Sequence, residues 1–255
     1  MELTQVKFWE NYWANCSLPS LADENLSFDR CLGSAIKKNL PITSGEVLEV
    51  GCAPGKWLAF MAREFGLKPS GVEYSDAGMK ATLENFRILG LTPDAIFTGD
   101  FFEIKPPRQF DAVMSFGFIE HFSDVDSVVE RHLQWLKPGG VLILGVPNFT
   151  GVYSPIQAVL DKEILEKHNL DIMNLDYFRG LGIRLSLEPV FLDYVGSFEP
   201  TLFIANYRLG NPLQVIVRAG LWFARRIRRW RWFDQFNHPL YSGYILAIYK
   251  KRIEE

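Results

Sequence analysis

The sequence predicts an α/β fold, a mostly parallel β-sheet with helices on both faces. Three observations carry that expectation. Between residues 47 and 147, short apolar runs alternate with longer amphipathic stretches, the rhythm of strand–helix–strand units. The run at 141–146 is apolar at nearly every position, as a strand covered on both sides requires. The first run passes into the first helix through Gly51-Cys-Ala-Pro-Gly55, a turn that lets the backbone approach a ligand at a helix N-terminus.

Taken in order, residues 4–15 read as a helix whose Phe8/Tyr12 and Trp9/Trp13 pairs lie one turn apart on neighbouring faces. Ser27 is placed to cap a second helix running to about Asn39, which Pro41 follows. The first strand is expected at 47–50, its helix at 55–65 and the second strand at 71–74. Ser75 caps a helix from Asp76 to about Leu89, and Gly90 ends it. Strands three and four are expected at 95–98 and 111–115. Ser123-Asp-Val-Asp126 opens the next helix in the manner of a capping box. Val125, Val128, Val129, Leu133 and Leu136 give that helix one apolar face, and Lys137-Pro-Gly-Gly140 stops it.

Beyond Pro147 the rhythm loosens. Residues 153–168 and 176–181 read as helices. Residues 185–195 and 243–250 read as two long strands forming a hairpin-like edge pair on the parallel sheet. An insertion at 207–239 holds one more helical stretch. One compact domain accommodates these elements: an N-terminal helical cap at 1–45, a cofactor-binding half at 46–147 and a substrate half at 148–255.

The chain has 255 residues, 48% of them hydrophobic, enough for a substantial core. Its net charge of −3 gives the whole molecule no polyanion-binding bias. Cys16, Cys31 and Cys52 have neither metal-site nor disulfide-framework spacing and suit a reducing compartment. The first residues carry no basic region followed by an apolar run, and no apolar stretch has the length of a membrane span. A cytoplasmic protein is expected.

The glycine turn is not a dinucleotide fingerprint. That pattern needs glycine at 51, 53 and 56, and this chain has Ala53 and Lys56. The G-x-x-x-x-G-K-[ST] phosphate loop is absent too. Glu73 ends the second strand about twenty positions after Gly51, where an acid can accept both ribose hydroxyls of an adenosine. The plainer alternative for such a residue is a solvated edge charge.

Five segments in order now carry a family resemblance: Val47-Leu-Glu-Val-Gly-Cys-Ala-Pro-Gly55, Gly71-Val-Glu-Tyr-Ser-Asp76, Thr98-Gly-Asp-Phe101, Phe110-Asp-Ala-Val-Met-Ser-Phe-Gly-Phe-Ile-Glu-His-Phe122 and Leu136-Lys-Pro-Gly-Gly-Val-Leu-Ile-Leu144. They resemble the motifs of class I S-adenosylmethionine-dependent methyltransferases. The resemblance implies a Rossmann-like three-layer sandwich around a seven-stranded, mostly parallel sheet with an antiparallel edge strand. It also implies S-adenosyl-L-methionine as cofactor. Glu49 would orient the loop and reach the methionine amino group, with Gly51, Cys52, Ala53 and Gly55 passing the methionine moiety. Glu73 would hold the ribose with Tyr74 beside the adenine, Asp100 would accept from the adenine amine, and Phe101 would flank the ring. Ser115 and Phe116 would line the methionine side. Many members have glycine where this chain has Ala53, so position 53 is expected not to need a positive φ.

A sulfonium methyl group is already activated, so the protein must align the acceptor and, for a hydroxyl, take its proton. His121, just after strand four, is the candidate base; a structural tie to a neighbouring carbonyl is the alternative. His132 falls on an apolar stripe and reads as a satisfied core histidine. His168 and His238 lie in the substrate half without a motif. No metal set is expected. The sequence after strand four, Ser115-Phe-Gly-Phe118, lacks the Asn/Asp-Pro-Pro-aromatic motif of amino-group methylation on bases. The aromatics Phe8, Trp9, Tyr12 and Trp13 read either as a lid or as packing against the sheet edge.

Residues 212–233 are basic and aromatic. Ile216, Gly220, Phe223, Ile227 and Trp230 share one helical face, and Arg218, Arg225, Arg226 and Arg229 gather on another. A core-packed helix with a solvated basic face, an anionic membrane surface and a phosphate group on the acceptor all fit; nucleic acid comes last because the rest of the chain is acidic. Three segments, Val146-Pro-Asn148, Leu165-Glu-Lys-His-Asn-Leu170 and Asn237-His-Pro-Leu-Tyr-Ser-Gly-Tyr-Ile-Leu-Ala-Ile248, are loosely similar to methyltransferases of bacterial surface-polysaccharide pathways. That similarity implies O-methylation of a sugar, a glycan precursor or another small molecule. RNA or protein methylation, and a non-catalytic S-adenosylmethionine-binding module, are the alternatives.

Overall fold

A computed structural model describes residues 3–203 and 212–253. Its centre is one seven-stranded sheet: β1 (Glu46–Val50), β2 (Lys68–Glu73), β3 (Ala95–Thr98), β4 (Phe110–Phe116), β5 (Leu136–Pro147), β6 (Leu187–Val195) and β7 (Tyr244–Lys251). The strands lie in the order β3-β2-β1-β4-β5-β7-β6. The first five are mutually parallel. The expected edge pair is present, and within it β7 is the strand that runs against both neighbours, β5 and β6.

Period-two alternation explains how one strand feeds two cores. On β5, Leu142, Leu144 and Val146 enter one apolar cluster, while Val141 and Ile143 enter the other. β7 does the same with Ile245, Ala247 and Tyr249 against Leu246 and Ile248. Helices α5 (Val125–Trp135), α6 (Tyr153–Glu166) and α7 (Leu175–Arg184) cover the first face. Helices α2 (Ser27–Asn39), α3 (Lys56–Phe65) and α4 (Asp76–Leu89) cover the second. The result is the three-layer sandwich. Helix α1 (Val6–Trp13) buries none of its residues in either core.

The helix boundaries follow local chemistry. Ser75 Oγ accepts from the Gly78 amide and opens α4, and Gly90 closes it at φ 66°. Asp124, inside the expected capping segment, caps α5 by accepting from the Ser127 amide. Ser27 does not cap α2. It is the first helical residue, after Leu26, and its hydroxyl donates to Glu199 instead. Helix α6 ends at Glu166 and is broken at Asp161, where φ is −164°. Ala53 is absent from the positive-φ positions, as its side chain requires, while Gly51 and Gly55 take φ 68° and 85°.

The expected insertion contains α8 (Pro212–Ile227) and a 3-10 turn at Arg231–Gln235; its stretch at 207–211 lies outside the described residues. The apolar face that the spacing marks is not the packed one, which speaks against the core-packed reading of this helix. Ile216, Phe223 and Trp230 are exposed, and Gln214, Leu221 and Arg228 are buried. Specific partners hold those two polar residues inside, a signal that hydrophobic periodicity does not carry.

Candidate active site

The sheet's carboxyl edge, the expected ligand-binding side of a doubly wound sheet, opens into a cleft of about 380 Å³. The turn after β1 forms its floor. A β-carbon added at Gly51 would lie 2.8 Å from the Phe118 ring, and one added at Gly55 would lie 2.9 Å from Phe86. Both positions therefore need glycine for space as well as for φ.

Glu73 is buried at the end of β2. Its Oε2 accepts from the Ala53 amide at 3.2 Å, and its Oε1 accepts from the amides of Tyr74 and Ser75 at 3.0 and 2.9 Å. Burial pushes its carboxyl above the usual range, and the three amides oppose that shift. Two carboxylate oxygens offer about four acceptor sites, so the group retains capacity for a ligand hydroxyl. Gly78 explains how close the walls come: a β-carbon there would sit within 3.0 Å of Ala53, Glu73 and Trp13 at once.

The expected site residues divide into two sets. Gly51, Ala53, Glu73, Tyr74, Asp100, Phe101, Phe116 and His121 line the cleft. Glu49, Cys52, Gly55 and Ser115 stand behind it. The Glu49 carboxyl is fully enclosed, takes a hydrogen bond from the Leu58 amide in the first turn of α3, and is pushed well up by burial. Its Oε2 and the Ser115 hydroxyl have no partner. Cys52 turns its thiol toward Gly71, so only its backbone faces the loop. Asp100 uses Oδ1 to accept from the Phe102 amide at 2.8 Å. The Phe101 ring is largely withdrawn, stacked on Trp135 at 6.3 Å. Phe102, which also lines the cleft, is the more exposed ring.

Helix α1 closes one side. Phe8, Trp9, Tyr12 and Trp13 all line the cleft, which favours the lid over edge packing. Glu10 fastens α1 by accepting from the amides of Asp76 and Ala77 at 2.5 and 3.1 Å, so its charge lies over the N-terminus of α4. The Leu3 amide donates to the His121 carbonyl at 2.7 Å.

The far wall holds a cluster that sequence reasoning resolved only in part. His121 Nδ1 lies 2.8 Å from the Lys167 carbonyl, and His168 Nδ1 lies 2.6 Å from that of Ile164. A carbonyl only accepts, so each Nδ1 carries the proton and each Nε2 offers its lone pair. The rings are 4.6 Å apart, and Trp9 meets His121 edge-on at 5.1 Å. Burial, then His168, pushes His121 down to about 3. Glu120, beside it, is pushed up to about 8 by burial and has an unpartnered Oε2. One ligand atom each from Glu120, His121 and His168 falls within 4.8 Å of the others, a set able to hold a divalent cation. The sequence picked His121 from this wall. Glu120 stood in the same motif, but its burial depends on distant segments. His132 is a core histidine, as expected, pushed down to about 4 by burial.

A family model described as a methyltransferase domain matches residues 26–180. The chain is 27% identical to a protein named methyltransferase GfsG from Streptomyces halstedii, over 96% of this chain and 88% of that one. It is 28% identical to the ubiquinone biosynthesis O-methyltransferase of Klebsiella pneumoniae, over 47% of this chain and 50% of that one. A solved SAM-dependent methyltransferase from Thiobacillus denitrificans, in complex with S-adenosyl-L-homocysteine, superimposes with a TM-score of 0.57 at 19% identity. That likeness covers 99% of this chain and 100% of the other and speaks for the fold.

Proposed function

This chain belongs to the methyltransferase-domain family, and from that premise we propose that it transfers the methyl group of S-adenosylmethionine to a hydroxyl of a sugar, a glycan precursor or another small molecule. The observation that carries this reading is the single cleft shared by Glu73, Asp100 and the turn at Gly51 on one side and by His121 and His168 on the other.

The residues suit the donor. Glu73 keeps acceptor capacity on Oε2 for a ribose hydroxyl, Asp100 keeps Oδ2 for the adenine amine, and Gly51 brings bare backbone to the methionine end. The bound cofactor supplies a methyl group already activated on a sulfonium. What remains for the chain is to orient the acceptor, exclude water and accept a proton. The α1 aromatics exclude water. His121 and His168, both neutral near pH 7, present Nε2 to the acceptor side. A pKa near 3 makes His121 a weak base alone, and Glu120, near 8, is the better-matched neighbour in the same wall.

The walls also favour a small acceptor. Aromatic rings dominate them, and Lys167 is the only lysine or arginine among the described lining residues. A nucleic-acid substrate would call for an open basic groove. Calorimetric titration of S-adenosylmethionine tests the donor assignment. The wild type should bind, and Glu73→Ala should bind at least about tenfold more weakly, the effect of losing a charge-assisted hydrogen bond. No binding by the wild type would defeat the reading; equal binding by the variant would remove the ribose role of Glu73.

A further inference from the structure

Helix α8 turns a narrow stripe to the body and its largest apolar side chains to solvent. Gln214, Leu221 and Arg228, spaced by sevens, form the inner stripe. Gln214 Nε2 donates to the carbonyls of Val159 and Leu160, each at 3.1 Å. Leu221 enters the core. Arg228 pairs with Asp234 at 3.2 Å, and the same carboxylate holds Arg30 at 2.6 Å. The helix is thus fastened at both ends and in the middle.

By contrast, Ile216, Trp222 and Phe223 on the helix and Trp230 and Trp232 after it are each 61–68% exposed. Single exposed apolar residues need no explanation, but five on one short segment form a patch with a purpose. Arg226 lies over the Trp222 ring at 5.5 Å. The stretch 212–236 contains six arginines and one aspartate, in a chain whose net charge is −3.

We propose that the outer face of α8 and the turn after it dock this protein on an anionic phospholipid surface. Trp222 and Phe223 enter the boundary between headgroups and acyl chains, and the exposed arginines meet the phosphates. Tryptophan with arginine is the composition that suits this boundary, where a ring sits at headgroup depth and a guanidinium reaches outward. A second copy of the chain is a poorer occupant, since a two-fold contact would set like arginines against each other. Nucleic acid accounts for the arginines but leaves the apolar side chains without a role. No described helix is long and apolar enough to cross a membrane, so the contact is peripheral. Arg225 also donates to the Pro200 carbonyl at 3.3 Å, next to Thr201 and Leu202 in the cleft wall. The docking helix thus lies against the segment that forms one wall of the cleft.

Flotation of the purified protein tests this, using phosphatidylcholine vesicles with and without phosphatidylglycerol. The wild type should float with the anionic vesicles only, and less so at high salt. Trp222→Ser/Phe223→Ser should lose that binding. Arg226→Gln/Arg229→Gln/Arg231→Gln should weaken it about a hundredfold, at roughly fivefold per arginine. Both variants alter exposed positions, and a thermal melt confirms that each is folded. Four results would each overturn the proposal: binding to neither vesicle, equal binding to both, wild-type binding by a folded variant, or retention on RNA in place of vesicles. A wild-type dimer that Trp222→Ser/Phe223→Ser dissociates would overturn it in favour of a second copy.

Discussion

The turn at residues 51–55 and helix α8 both face a ligand or partner beyond the fold, and they are built on opposite rules. At the turn, shape closes inward. Gly55 has no room for a β-carbon, and Glu73 spends its oxygens on three backbone amides to hold the loop. On α8, apolar surface is turned outward. A β-carbon at Gly220 would meet nothing within 4 Å, and large rings stand in solvent. A site for one small molecule is defined by what it excludes, whereas a docking surface is defined by apolar area that the fold declines to bury.

The same substitution therefore reads the two regions differently. Gly55→Ala should destabilise the protein by about 2–4 kcal/mol, combining the cost of a left-handed alanine with overpacking against Phe86 and Thr82. Scanning calorimetry measures this directly. An unchanged Tm would mean that the turn is looser than its contacts imply, and the contrast with α8 would fail.

Glu120 gives a second test of the enclosed region. Burial holds its pKa at about 8, above the ordinary value of 4.5, so the fold prefers the neutral acid. Its contribution to stability is complete below pH 4.5 and is lost as pH rises through about 8. Gln is neutral at every pH. Relative to wild type, Glu120→Gln should therefore gain about 2–3 kcal/mol between pH 6 and pH 9. His121 and His168 are shifted down in both proteins, so their opposite pH trend cancels in the comparison. A pH-independent difference between the two melting curves would show that Glu120 is not enclosed.

The two regions also differed in how much the sequence disclosed. The turn, Glu73 and the strand ends were legible because each depends on a few consecutive residues: glycine where φ is positive, an acid where a strand stops. Ser75 and Gly90 bounded α4 for the same local reason. The acceptor wall was only partly legible, because His121, His168, Thr201 and Tyr244 come from segments far apart in the chain. Glu120 was visible as a residue but not as a buried one. On α8 the periodicity found the apolar face but not the side that packs on the body. Apolar spacing identifies an inner face only when water is the sole alternative, and here carbonyls and Asp234 draw Gln214 and Arg228 inward instead. Ser27 fails as a cap by similar logic, since a buried carboxylate takes its hydroxyl.

The smallest effect is the most discriminating for the outer region. Gly220 lies inside α8, where glycine costs up to about 1 kcal/mol relative to alanine. Its neighbourhood is open, so Gly220→Ala adds helix propensity without a steric penalty. The expected gain is under about 1 kcal/mol, and part of it is local, because a surface helix can open without the whole domain unfolding. Amide hydrogen exchange along residues 212–227 is therefore the better readout, and exchange there should slow by up to about fivefold. Faster exchange, or a lower Tm, would mean that the added methyl collides with something. The outer face of α8 would then already be covered in solution, and the opposition between an enclosed turn and an uncovered helix would disappear.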